Sequence, residues 1–122
     1  MQKDKRAFDV EYYDKPDGTF PAKEFIESQD LKMEAKLYKL LGLLERNGND
    51  LREPYSKFLE DGIFEIRAKQ GSNITRVLYF FVVGRKIILT HGFTKKTSKT
   101  PLPEIATAKK YRNEYINRKE WN

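Results

Sequence analysis

At 122 residues the chain is the size of a single domain, 1–122, long enough to bury a core without disulfide or metal staples. It contains no cysteine, which excludes a disulfide framework, thiolate catalysis and zinc sites of the cysteine type, and fits a reducing, cytoplasmic setting. Its formal net charge of +6 and pI of about 9.4 favour polyanionic partners, through counterion release from phosphates.

The N-terminal stretch MQKDKRAFDVEYYD is charged and then alternating, without the apolar run of a signal peptide, and no later run is long enough to span a bilayer. Within it, Phe8, Val10 and Tyr12 alternate with polar residues, which predicts a half-buried strand over 7–13. KPDG ends that strand, and FPAKEFIESQ places Pro21 in the first turn of a short helix with Phe25 and Ile26 on one side. Asp30 is a good N-cap for a longer helix in which Met33, Leu37, Leu40, Leu41 and Leu44 form one apolar stripe, closed by Asn47-Gly48.

After the polar loop NDLREPY come three strand signals, FLEDGIFEIRAK, NITRVLYFFVV and KIILTHGF. QGSN suits a four-residue loop between the first two and Gly84-Arg85 a two-residue turn between the last two, so the three form an antiparallel meander. Pro101 and Pro103 precede a terminal helix over 104–119, with Ile105, Ala108, Tyr111 and Tyr115 on one face. The expected fold is α+β: a small antiparallel sheet, the N-terminal strand plus the meander, packed on two N-terminal helices and followed by a C-terminal helix.

These turns set a register. Lys69 falls opposite Ile74, Arg67 opposite Arg76 and Glu65 opposite Leu78, and a two-residue turn at 84–85 places Val83 opposite Lys86, with Leu78 facing His91 and Arg76 facing Phe93. One face then carries Phe64, Ile66, Ala68, Val77, Tyr79, Phe81, Val83 and Ile88 and should pack on the leucine helix. The other is apolar at one end, through Ile63, Phe80, Val82, Ile87 and Leu89, and collects Glu65, Arg67, Lys69, Arg76, His91 and Lys95 at its other end.

Two arginines directly opposite each other repel, by roughly 0.2–1 kcal/mol on the scale of cross-strand pairs, and sheet stability gives no reason for that arrangement. An anion between them does. A charge network neutralised by Glu65 is the competing account. The stretch 94–100, TKKTSKT, follows directly and adds Lys95, Lys96 and Lys99 at the same edge. Charge is concentrated there and beyond: residues 1–93 carry 16 basic and 15 acidic side chains, net +1, whereas residues 94–122 carry eight and three, net +5. A solvated basic tail would produce the same excess.

The element order, together with PYSKFLEDGIFEIR, RVLYFF, HGFTKKTSKTP and EIATAKKYRNEY, resembles the HigB-like branch of the RelE superfamily of bacterial and phage toxins, over roughly residues 7–115. The resemblance implies a ribosome-dependent endoribonuclease that cuts mRNA with basic residues in place of a metal, needs no cofactor, and is neutralised by a small helix-turn-helix antitoxin. It implies Arg76 as the phosphate-stabilising arginine, with Arg67 on the preceding strand and Lys96 or Lys95 after the last strand. Where the RelE type has a C-terminal tyrosine this chain has TSKTP, so the proton-transfer group is open among His91, Lys95, Lys96 and Glu65.

His91, the only histidine, suits acid–base work by its ordinary pKa, yet its place opposite Leu78 equally suits a packed structural role. Candidate RNA contacts are Lys57, Lys69, Lys99, Lys109, Lys110 and Arg112 for phosphates, and Phe93, then Tyr55, for base stacking. The competing function is a non-catalytic RNA- or ribosome-binding module using the same basic edge. A third reading makes the apolar end of that face a dock for a partner or for the chain's own terminal helix. The sequence has no glycine-rich phosphate loop, nucleophile elbow or Cys-His ligand spacing.

Overall fold

The structure, a computed structural model, describes residues 7–121; the first six residues of the charged N-terminal stretch lie outside them. The elements are β1 (Asp9–Tyr12), α1 (Pro21–Glu27), α2 (Leu31–Asn47), a 3-10 turn (Gly48–Asp50), β2 (Ser56–Glu60), β3 (Ile63–Gln70), β4 (Asn73–Val82), β5 (Lys86–Lys95) and α3 (Leu102–Trp121). Five strands form one mixed sheet in the order β1-β5-β4-β3-β2, so the α+β architecture is as expected.

Two details of strand number and direction differ from the expected sheet. FLEDGIFEIRAK is not one strand but a hairpin, because Asp61 (φ 50°) and Gly62 (φ 77°) both adopt positive φ and Glu60 pairs with Ile63 across them. Asp-Gly is the usual sequence for such a two-residue turn, since both positions need the left-handed region. In addition, β1 runs parallel to β5, with Val10 beside Ile87 and Tyr12 beside Leu89. Two helices separate β1 from the meander, so no tight turn forces it antiparallel.

α2 forms as its pattern demands. Asp30 Oδ1 accepts a hydrogen bond from the Met33 amide at 2.8 Å, Gly48 takes φ 52° at the C-terminus, and the whole leucine stripe is buried. Each such leucine contributes about 1.5–3 kcal/mol by leaving water. The stripe packs on Ile66, Ala68, Val77, Tyr79, Ile87 and Leu89. On the opposite face Ile63, Leu78, Phe80, Ile88 and Phe93 pack with Ala108 and Tyr115 of α3. The apolar end of that face is therefore covered by the chain's own terminal helix.

The β4–β5 register explains why Ile87, Ile88 and Leu89 sit on the faces opposite to those expected. Val82 pairs with Lys86, leaving a three-residue loop at 83–85, and a bulge between Leu78 and Tyr79 then restores Leu78 opposite His91 and Arg76 opposite Phe93. Gly84 (φ 94°) and Arg85 (φ 60°) give the loop its left-handed turn, while Val83, outside the ladder, is 99% exposed. The bulge lies beside the candidate site, where an extra residue re-aims the following side chains.

Gly92 lets α1 close on the sheet: a Cβ built there would lie 2.3 Å from Phe25 Cδ2 and 2.8 Å from the Arg76 carbonyl oxygen. Phe25 can turn away, but the carbonyl belongs to the ladder and cannot. Gly92→Val should cost about 1–3 kcal/mol by overpacking, read as a lower urea midpoint with unchanged m-value. A midpoint equal to that of wild type would show that α1 is not seated on β5.

Candidate functional site

Arg67 and Arg76 are directly opposite each other, as are Glu65 and Leu78. Between the guanidiniums lies a carboxylate: Glu65 Oε2 is 3.1 Å from Arg67 Nε and 3.6 Å from Arg76 Nε. Glu65 and Arg76 are both fully buried, which sets their electrostatics. Burial pushes Glu65 above the usual carboxylate range, while the Thr100 hydroxyl and the cations Arg67, Arg76 and Lys57 pull it back. Burial also lowers Arg76 from its ordinary value, with Glu65 opposing and Arg67 reinforcing the shift. Lys57 reaches this group because it pairs with Glu65 across β2 and β3.

The expected rim is instead a strap. Thr100 Oγ1 donates to Glu65 Oε1 at 2.5 Å, Arg67 Nη2 donates to the Ser98 carbonyl at 2.6 Å, and Arg76 Nη2 donates to the Thr97 carbonyl. Segment 97–100 thus folds over the arginines, and two backbone carbonyls accept where an anion's oxygens were expected. A buried guanidinium must find acceptors for its donors, and a neighbouring loop carries them on every residue. The satisfaction is incomplete, since Arg76 Nη1 is buried with no hydrogen-bond partner among the described residues. Arg76 also lies over the Phe93 ring, 5.3 Å from its centroid, so Phe93, 8% exposed, serves as a floor for Arg76 and is not presented to a base.

Around the strap, Lys95, Lys96 and Lys99 are exposed and form no ion pair among the described residues. Lys69 is exposed at the same end of the sheet. Lys109 and Arg112 are committed elsewhere. Lys109 Nζ is 2.6 Å from Glu60 Oε2 and Arg112 Nη2 is 2.8 Å from Asp61 Oδ2, so both pin α3 to the β2–β3 turn. Only Lys110 of that trio is left exposed. The missed signal was the Asp-Gly turn itself, whose acidic tip supplies these partners.

His91 is packed. Its Nε2 is 3.0 Å from Glu104 Oε1 in the first turn of α3, its Nδ1 is 3.1 Å from Thr90 Oγ1, and the ring stands edge-on to Tyr111. Burial lowers its pKa from the ordinary 6.5, with Glu104 opposing. A group lowered on folding binds its proton more weakly in the native state, so His91 costs no stability above pH 6.5 and progressively more as pH falls below it. The difference in unfolding free energy between wild type and His91→Phe should therefore widen by at most about 1.4 kcal/mol per pH unit over pH 7.5–5.5, in the direction of wild type losing stability. Glu65, whose raised pKa acts with the opposite sign, contributes to both proteins and cancels. Parallel curves would put His91 in solvent.

Among the described residues, no group of three or more His, Cys, Asp or Glu side chains is placed to hold a metal ion, and no helix is long and apolar enough to cross a membrane.

Residues 24–113 match the family of phage-derived Gp49-like proteins (DUF891). The chain belongs to that family. No curated protein matches the chain. The matched segment of this Gp49-like protein runs from α1 into α3 and contains the arginine pair, Glu65, the strap and Glu104, while β1 precedes it. Gp49-like proteins are often associated with toxin–antitoxin systems.

Proposed function

We propose that this protein is the toxin of a type II toxin–antitoxin pair, of the HigB-like RelE kind, and that it cuts mRNA on the ribosome. The observation that carries this reading is the Arg67–Arg76 cross-strand pair, beside three exposed lysines without ion pairs among the described residues. The RelE-like element order and the toxin–antitoxin association of Gp49-like proteins support it further.

In the proposed reaction the ribose 2′-OH attacks the adjacent phosphorus in line. The 2′-O–P bond forms and the P–O5′ bond breaks, leaving a 2′,3′-cyclic phosphate and a 5′-hydroxyl. Negative charge grows on the non-bridging oxygens, and planar guanidiniums meet such oxygens bidentately. Arg67 and Arg76 take that role once segment 97–100 lifts and the scissile phosphate replaces its two carbonyls as acceptor. The proton lost by the 2′-OH and the one gained by the 5′ oxygen pass through groups at the rim, where Lys95 and Lys96 are the exposed titratable candidates, and Glu65 becomes accessible with the arginines. His91, already bonded on both ring nitrogens, holds α3 to the sheet.

Primer extension on mRNA incubated with programmed ribosomes and the purified protein tests this directly. Codon-spaced cuts that require ribosomes are expected. Intact mRNA with a folded protein would move the assignment to a non-catalytic RNA- or ribosome-binding module. The full burial of Arg76 favours that second reading, because binding through Lys95, Lys96, Lys99 and Lys69 needs no strap movement.

A further inference from the structure

A cleft of about 570 Å³ opens between α2 and segment 53–55, with Arg67 and Lys69 of β3 along its wall. It exists because β2 begins at Ser56, opposite Ile66, whereas β3 continues to Gln70, so the last turn of pairing on that edge is missing. Tyr55 closes the gap from one side. Its carbonyl accepts from the Arg67 amide at 3.0 Å and its own amide donates to the Arg52 carbonyl at 3.0 Å, which fixes its backbone while its side chain stays 47% exposed. From the other side α2 contributes Lys36, Lys39 and Leu43, three positions at helical spacing on the flank of the leucine stripe. Lys36 Nζ donates to the Lys69 carbonyl at 2.8 Å and so spans the cleft.

The lining has a consistent chemistry. Four cations, Lys36, Lys39, Arg67 and Lys69, face a single carboxylate, Glu53, and the ammonium groups of Lys36, Lys39 and Lys69 make no ion pair among the described residues. Between the cations lie a half-exposed tyrosine and a leucine. Cations that track a backbone beside an aromatic ring that stacks a base are the requirements of single-stranded nucleic acid. An acidic peptide would use the charges but leave the aromatic wall without a purpose. Arg67 belongs both to this cleft and, through Glu65 and Ser98, to the strapped pair, so a strand seated in the cleft lies beside the arginines before segment 97–100 lifts.

We propose that this cleft is a nucleotide subsite for single-stranded RNA, seating the base against Tyr55 and Leu43 and its phosphates on Lys36, Lys39 and Lys69, next to the phosphate that Arg67 contacts. The inference rests on the RNA reading given above and adds to it a place where the substrate is held before the strap moves.

The test is fluorescence anisotropy of an end-labelled single-stranded RNA hexamer titrated with the full chain over a salt series, run beside the ribosome cleavage assay. Tyr55→Ala should weaken binding about 5- to 100-fold, and Tyr55→Phe should restore it, since the ring and not the hydroxyl stacks. The Lys36→Ala/Lys39→Ala double variant should flatten the slope of log affinity against log salt by about 1.4, the share of two phosphate contacts on a single strand. All of these side chains lie at the cleft surface, so folding is retained and circular dichroism checks it. Unchanged affinity and slope in both variants, with wild type still cutting mRNA, would overturn the subsite and assign the cleft to a protein occupant while leaving the nuclease reading in place. A wild-type chain that cuts on ribosomes but binds no free strand would also overturn it. A chain that neither binds nor cuts would overturn the RNA reading itself.

Discussion

Glu65→Ala should lose about 3–5 kcal/mol of stability. The carboxylate is buried between two guanidiniums and accepts the Thr100 hydroxyl. Its removal leaves Arg76, 0% exposed, as an uncompensated buried charge and frees the C-terminal anchor of the strap. Arg67 can turn to solvent, because its side chain is already 14% exposed; Arg76 cannot do so without moving segment 97–100. Urea unfolding followed by circular dichroism measures the loss. The double variant Glu65→Leu/Arg76→Met, which replaces the buried ionic groups by apolar ones of similar volume, should recover most of it. A wild-type midpoint in Glu65→Ala would mean that the strap is open in solution and that water, not Glu65, balances Arg76.

Arg76→Lys and Arg67→Ala should each reduce ribosome-dependent cleavage about 10²- to 10³-fold, the usual cost of removing one donor aimed at developing charge. Lysine keeps the positive charge that Glu65 requires, so Arg76→Lys separates catalysis from folding better than alanine. It loses the planar fork that engages two phosphate oxygens at once. The Glu65→Leu/Arg76→Met variant, folded but without the buried guanidinium, should be inactive as well. Cleavage products resolved by primer extension at matched protein concentration provide the readout, with circular dichroism confirming each fold. Full activity in Arg76→Lys would remove bidentate phosphate contact from the mechanism, and full activity in both variants would remove the arginine pair.

The strap links these two results. The same carbonyls that stabilise the closed form by accepting from Arg67 and Arg76 must be displaced before a phosphate reaches either residue. A substitution that weakens the Thr100–Glu65 bond therefore acts on folding and on access in opposite senses. The exposed lysines on and beside the strap place positive charge where an incoming polyanion would meet it first.

Much of this was readable from the chain. Alternation and helical spacing are local consequences of backbone geometry, so the leucine stripe of α2, the covered face of α3 and the sites of the turns follow from side-chain order alone. The arginine pair was readable for the same reason: the turn at 71–72 fixes the ladder, and every pairing downstream of it is counted in twos. His91 and Phe93 keep the partners that the two-residue turn implies because two departures cancel, a loop one residue longer and a bulge that absorbs the difference. Lys86, Ile87, Ile88 and Leu89 lie between those two points, so they sit on the opposite face to the one expected. The Asp-Gly signal of the β2–β3 hairpin is present in the sequence, but the apolar alternation on its two sides runs together and masks it.

By itself the sequence determined the three helices, the β3–β5 meander, the two apolar faces outside residues 86–89, the facing arginines and the concentration of basic charge after residue 94, because each depends on neighbours along the chain or on one turn. Only the tertiary structure decided which charges remain free. Lys109 and Arg112 are held by a turn some 50 positions away, His91 by the first turn of α3, and Arg76 by a loop that folds back over it. The cleft beside Tyr55 arises where one strand ends before its neighbour. Such pairings satisfy buried or half-buried charge with whatever acceptor the fold brings within about 3 Å, and that distance is set by packing, which no local pattern encodes.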